Sequence, residues 1–191
     1  MQNLILQEIK FSIDVKQKIL ENEQILHSIE KIVNACLKAL QSGGKIIFCG
    51  NGGSFADSQH LAAEFVSRLR FDRVTLASIA LGTNSSNMSA ISNDYGYDQV
   101  FAREIDALAN EIDFFIPIST SGNSLNVINA IKTATKKGIN IFGLTGGNGG
   151  GMKELCENII VPSSSTEKIQ EAHIMIGHII CYLVEKTFFN K

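Results

Sequence analysis

Five short apolar runs, each set off from the next by a segment of helical periodicity, limit what this chain can fold into more than any other feature. The runs are Lys45–Cys49 (KIIFC), Ala77–Leu81 (ASIAL), Phe114–Ser119 (FFIPIS), Ile139–Leu144 (INIFGL) and Ile159–Val161 (IIV). Each is apolar at consecutive positions rather than alternate ones, as a strand buried on both faces must be. Helical segments are predicted between them at about 54–68, 84–91, 98–109, 124–137 and 152–156, with a long final helix over about 166–188. Two further amphipathic helices occupy residues 1–42: Leu4, Ile5, Ile9, Ile13 and Ile19–Leu20 form one stripe, and Ile25, Ile29, Ile32–Val33, Cys36 and Leu40 another. Gly43-Gly44 ends the second. Strands alternating with helices imply a parallel sheet covered on both sides, an α/β three-layer αβα sandwich. Pro117 inside the third strand implies an edge or irregular position there. Ligands of such sheets sit beyond the carboxyl ends of the strands, so the loops that follow strands carry the search for function.

Length and charge narrow the class. A chain of 191 residues with 45% hydrophobic composition can close one core without disulfide or metal, and no linker divides it, so 1–191 is expected to be one domain. Seventeen basic residues stand against nineteen acidic ones, net −2, with no Lys/Arg block; neither nucleic acid nor an anionic membrane is an expected partner. No uninterrupted apolar run approaches ~18 residues, the length of a membrane span. The start, MQNLILQEIKF, lacks the basic head and apolar core of a signal peptide. Cys36, Cys49, Cys156 and Cys181 form no CxxC pair, and reduced thiols in the cytoplasm are the expectation.

Two polar loops stand out. Gly50-Asn51-Gly52-Gly53-Ser54 follows the first strand, and Ser119-Thr120-Ser121-Gly122-Asn123-Ser124 follows the third. Each delivers small residues and hydroxyls to a helix N-terminus, where free N–H groups and the positive dipole end favour an anion. Ser54 and Ser124 are natural N-caps. The second loop, with four hydroxyls in six residues, is the expected phosphate site. A third loop, Thr145–Gly151, is rich in glycine but poor in hydroxyls and does not fit GxGxxG. GxxxxGK[ST] and GxSxG are absent as well.

His60, Glu64 and Arg68 fall at i, i+4 and i+8 on the helix opened by Ser54, each about 40° from the last, so one face carries all three. His60 and Glu64 could share one proton or one metal ion. The final helix adds Glu167, Gln170, Glu171, His173 and His178 to an otherwise apolar sequence. Gln170 and His178, about 80° and about 12 Å apart along the helix, could just reach one ion, act at separate points or serve different subunits. His173 is expected to be a satisfied core residue. His60, Glu64 and His178 are typical N/O ligands, with Gln170 a weaker fourth.

Taken in order, GNGGS(x5)H(x3)E(x3)R, Asn93-Asp94, STSGNS and IQEAH(x4)H resemble the sedoheptulose 7-phosphate isomerases of the sugar isomerase (SIS) domain superfamily over essentially the whole chain. The resemblance implies a five-stranded flavodoxin-like sheet, a homotetramer with active sites at subunit interfaces, and conversion of sedoheptulose 7-phosphate into D-glycero-D-manno-heptose 7-phosphate. That is the first step toward the activated heptoses of lipopolysaccharide or capsule. It implies phosphate contacts from Ser119, Thr120, Ser121 and Ser124, and sugar contacts from Asn51, Gly52, Gly53, Ser54, Asn93 and Asp94. It also implies one zinc ion per subunit on His60, Glu64, Gln170 and His178. Glu64 and His178 would be the acid/base pair, with Glu64 and Gln170 also touching substrate. Glu167 stands where Asp is expected and Lys168 where Arg is common.

Aldose–ketose interconversion needs a base over C1–C2, a proton donor to the oxygens and stabilisation of the enediolate. Glu64, His178 and a cation meet those needs. The competing class is a non-catalytic SIS protein, either a phosphosugar sensor or a DnaA initiator-associating protein, which needs the hydroxyl loop but not the acid/base/metal set.

Overall fold

The computed structural model describes residues 1–190; Lys191, the last residue of the expected domain, lies outside the described residues. Five parallel strands form the sheet: β1 (Ile46–Cys49), β2 (Ser78–Ala80), β3 (Phe114–Pro117), β4 (Asn140–Gly146) and β5 (Glu157–Val161). Their order is β2-β1-β3-β4-β5, the flavodoxin-like order. The helices are α1 (Gln2–Leu20), α2 (Glu23–Gln41), α3 (Gly53–Val66), α4 (Ser85–Tyr95), α5 (Val100–Leu108), α6 (Leu125–Lys136) and α7 (Thr166–Phe188).

The strand pleat sorts the apolar runs into two cores. Ile46, Phe48, Phe114, Ile116 and Ile118 face one side, packed with α2, α3 and α7. Ile47, Cys49 and Phe115 face the other, packed with α5 and α6. Consecutive apolar residues are thus required because each face has its own helical layer. Asp113 ties the foot of the sheet, accepting from the Lys45 N–H at 2.8 Å and from Lys45 Nζ at 2.6 Å.

Several expectations need correction, but of the two positions expected for Pro117 the irregular one is found: it is in the central strand, not at an edge. The ladder accommodates it by breaking: β3 pairs with β4 only at Phe114 and Phe115 and resumes as an isolated bridge at Ile118. The Ile118 N–H donates to Cys49 on the β1 side and the Ser119 N–H to Leu144 on the β4 side. By alternation Pro117, which has no N–H, falls on the β4 side, where the gap lies. The segment expected at 152–156 is only a 3₁₀ turn, Gly150–Glu154, and α4 runs on to Tyr95, so Asn93 and Asp94 sit on a helix. In α1 only Val15 and Ile19 are buried; Leu4, Ile5, Ile9, Ile13 and Leu20 are exposed. Among the described residues no helix is long and apolar enough to cross a membrane.

Candidate active site

The order β2-β1-β3 places the switch point between β1 and β3, and the two polar loops follow those strands. Gly52, at φ +54, is the N-cap of α3, so Ser54 lies inside the first turn rather than capping it. Ser124 is the N-cap of α6, but its side chain makes no capping bond; its Oγ lies 3.0 Å from Ser119 Oγ. Asn51, Gly52, Gly53, Ser54, Ser119, Thr120, Ser124 and Gln170 line one cavity of about 270 Å³, completed by Ile118 and Thr166. No ionised side chain lines it. Ser121 faces an adjoining cavity of about 360 Å³ that shares Thr120 and Thr166. Thr166 had no motif to announce it; it is simply the first residue of α7.

The glycine-rich third loop braces the hydroxyl loop, and its Gly146, Gly147 and Asn148 line the adjoining cavity. The Gly151 N–H donates to Asn123 Oδ1 at 2.9 Å and the Met152 N–H to the Gly122 carbonyl at 3.0 Å. Gly122, at φ +66, has the Gly149 carbonyl where a Cβ would stand, so no larger residue could keep the two loops this close.

Two turns along α3 from the cavity, α3 and α7 cross closely enough to bring distant residues together. Gly177 makes this approach possible: a Cβ there would stand 2.6 Å from the Leu61 methyls. A Cβ on Gly53 would likewise meet the Gln170 amide at 2.5 Å. His60 Nε2 consequently lies 2.8 Å from His178 Nε2 and 3.4 Å from Glu64 Oε1. One donor atom from each of these three residues lies within 4.8 Å of the others, a grouping able to hold a metal ion. The Glu64 side chain is 17% exposed and that of His60 50%. Gln170 belongs to the hydroxyl cavity. Asn93 and Asp94 are exposed on α4 and bonded to each other at 2.8 Å; they do not line the hydroxyl cavity.

Arg68 does not join the His60–Glu64 face, because α3 ends at Val66. Arg73 stops the helix by donating to the carbonyls of Glu64, Phe65 and Ser67 at 2.8, 2.7 and 3.1 Å. Arg73 pairs with buried Glu185 of α7 at 3.1 Å, and Glu185 also accepts from the N–H groups of Leu69 and Arg70 at 2.9 Å. This clasp fixes the last turn of α3, which carries Glu64, against α7. Asp57 lies one turn before His60; burial raises its carboxyl to about 6, opposed by His60, and among the described residues its Oδ2 finds no partner. His173 is a core residue as expected but only half satisfied: it is fully buried, its Nε2–H donates to the Thr145 carbonyl at 3.0 Å, its Nδ1 finds no partner among the described residues, and burial lowers it to about 4.

Sheet order, a cavity lined by neutral hydroxyls and an imidazole–carboxylate cluster accompany a sugar isomerase domain: residues 10–146 match the SIS domain family. A phosphoheptose isomerase of Aneurinibacillus thermoaerophilus is 51% identical over 192 residues, covering 100% of this chain and 97% of its own. Solved phosphoheptose isomerases of Neisseria gonorrhoeae (37% identity, TM-score 0.89) and Francisella tularensis (31%, 0.92) match 96% and 97% of this chain and 98% of each of theirs. The chain belongs to the phosphoheptose isomerase family.

Proposed function

We infer that the protein is an aldose–ketose isomerase that converts sedoheptulose 7-phosphate into D-glycero-D-manno-heptose 7-phosphate in heptose biosynthesis. The observation that carries this reading is the meeting of Glu64 and His60 on α3 with His178 on α7, about 9 Å (His60) to about 15 Å (Glu64) along α3 from Ser54 of the hydroxyl cavity. That spacing leaves room for several carbons between an anchored phosphate and the reacting end. The hydroxyls of Ser119, Thr120, Ser121 and Ser124 and the N–H groups opening α6 hold the phosphate without a counter-charge. Gly52 and Gly53 offer backbone groups to the sugar, Ser54 and Gln170 side chains; Asn93 and Asp94 complete the set only if a neighbouring subunit or a movement of α4 brings them in. Glu64 takes the proton from C1 and returns it to C2, and His178 moves the proton between O1 and O2.

The donor set fits a divalent cation. Zinc ligands about 2.0–2.1 Å from a tetrahedral ion lie about 3.3 Å from one another; His60 stands 2.8 Å from His178 and 3.4 Å from Glu64, with all three donors within 4.8 Å of one another. His60, Glu64 and His178 would hold one zinc ion per subunit, with Gln170 as the weaker fourth ligand. Bound there, it supplies positive charge that orients the carbonyl and hydroxyl oxygens. A cation next to Glu64 favours the ionised carboxylate and weakens it as a base, so we assign the metal chiefly to geometry.

Residues 1–191 act as one SIS domain in this reading, and the exposed stripe of Leu4, Ile5, Ile9 and Ile13 supports a homotetramer that buries it. The setting we propose is cytoplasmic, with no nucleic-acid or membrane partner. A non-catalytic SIS protein would have no use for the histidine–glutamate meeting. The test is incubation with sedoheptulose 7-phosphate, with and without added zinc, followed by NMR for the aldose phosphate. Product formation is expected; none under any metal condition overturns the reading.

A further inference from the structure

Asn51 and Asn126 face each other across the switch point. Asn51 Nδ2 donates to Asn126 Oδ1 at 2.8 Å, and Asn126 Nδ2 donates to Asn51 Oδ1 at 2.9 Å. The Val127 N–H donates to Asn126 Oδ1 at 3.0 Å, which fixes which way the Asn126 amide points and therefore which way Asn51 points. The Tyr97 hydroxyl donates to Asn51 Oδ1 at 2.9 Å. Both acceptor positions of Asn51 Oδ1 are therefore filled, and one N–H is all its side chain has left for a ligand. Asn126 is only 3% exposed, so a substrate cannot replace the pair from that side.

We propose that Asn126 is a positioning residue: its amide pair with Asn51 sets the spacing between the loop that opens α3 and the loop that opens α6. The proposal rests on the reading of the hydroxyl loop as the phosphate site. Asn51 precedes Gly52 and Gly53, and Asn126 lies two residues after Ser124, so the pair spans the two loops at their closest functional points. Tyr97 ties the same amide to the turn after α4. In this arrangement Asn51 acts through the backbone it holds still rather than through its own side chain.

A ligand that touches only the hydroxyl loop should not sense the tie; one that spans both loops should. In Asn126→Ala, KM for sedoheptulose 7-phosphate is expected to rise about tenfold, the loss of a pair of buried hydrogen bonds, with a smaller fall in kcat. The competitive Ki of inorganic phosphate should stay within about twofold of wild type, since its contacts remain. Tyr97→Phe, at an exposed residue that leaves the fold undisturbed, should repeat the split at about two- to threefold. Equal loss for both ligands in these variants, or no loss for either, overturns the proposal. If inorganic phosphate does not compete on the wild-type enzyme, the phosphate reading falls and takes the proposal with it.

Discussion

The hydroxyl cavity and the histidine–glutamate cluster lie along the same two helices and use opposite chemistry. The cavity is built from neutral groups delivered by two loops and by the first turns of α3 and α7, the loops held by a third loop and by the amide pair. The cluster is built from ionisable groups delivered by rigid helix faces and by a glycine that permits their crossing. A permanent anion needs many oriented dipoles and no proton exchange. A migrating proton needs few groups, held in place and able to change charge. Along α3, His60 stands about 9 Å and Glu64 about 15 Å beyond Ser54 of the cavity, which keeps the two tasks apart.

Substitutions can separate the tasks. His178→Gln removes a group that changes charge while keeping polarity; kcat is expected to fall about 10³-fold with KM nearly unchanged, as the loss of one general acid–base partner implies. A comparable rise in KM would place His178 in binding instead. In the cavity the reverse is expected: Ser121→Ala with Ser124→Ala should raise KM about 10- to 100-fold and leave kcat within a few-fold, read by initial rates. Gly177→Ala tests the crossing itself. A Cβ 2.6 Å from the Leu61 methyls must displace that buried side chain or part α7 from α3, which is expected to cost about 1–3 kcal/mol in a denaturant melt and to weaken zinc binding measured by titration.

A pH-dependent effect on stability, confined to acid, falls on His173, the buried histidine of α7. Burial lowers His173 to about 4 in the fold, against 6.5 for an ordinary imidazole. The unfolded chain therefore takes up the proton first, and stability present above about pH 6.5 is lost as pH falls toward 4. About 3 kcal/mol is at stake over that window, and His173→Gln should flatten this part of a pH–stability curve.

Much of this was legible in the sequence, and the failures have physical causes. The five strands and α7 could be read because each has two buried faces or a long apolar stripe. Helix α4 buries no residue, so periodicity had nothing to register beyond Ile91. The stripe of α1 is apolar in sequence, but periodicity does not say what covers it, and the fold leaves Leu4, Ile5, Ile9 and Ile13 exposed. His60 and Glu64 were readable as an i, i+4 pair; Arg68 was misplaced because Arg73, outside the motif, ends the helix early. Asn126, Tyr97 and Thr166 carry no spacing signal, and only the tertiary fold brings them to the cavity.

The most direct measurement follows solvent deuterium into sedoheptulose 7-phosphate in D₂O, comparing wild type with Glu64→Gln. Wild type should label C1 and release the aldose phosphate. The variant should do neither while inorganic phosphate still binds; label or aldose appearing at wild-type rate in the variant would contradict Glu64 as the proton carrier.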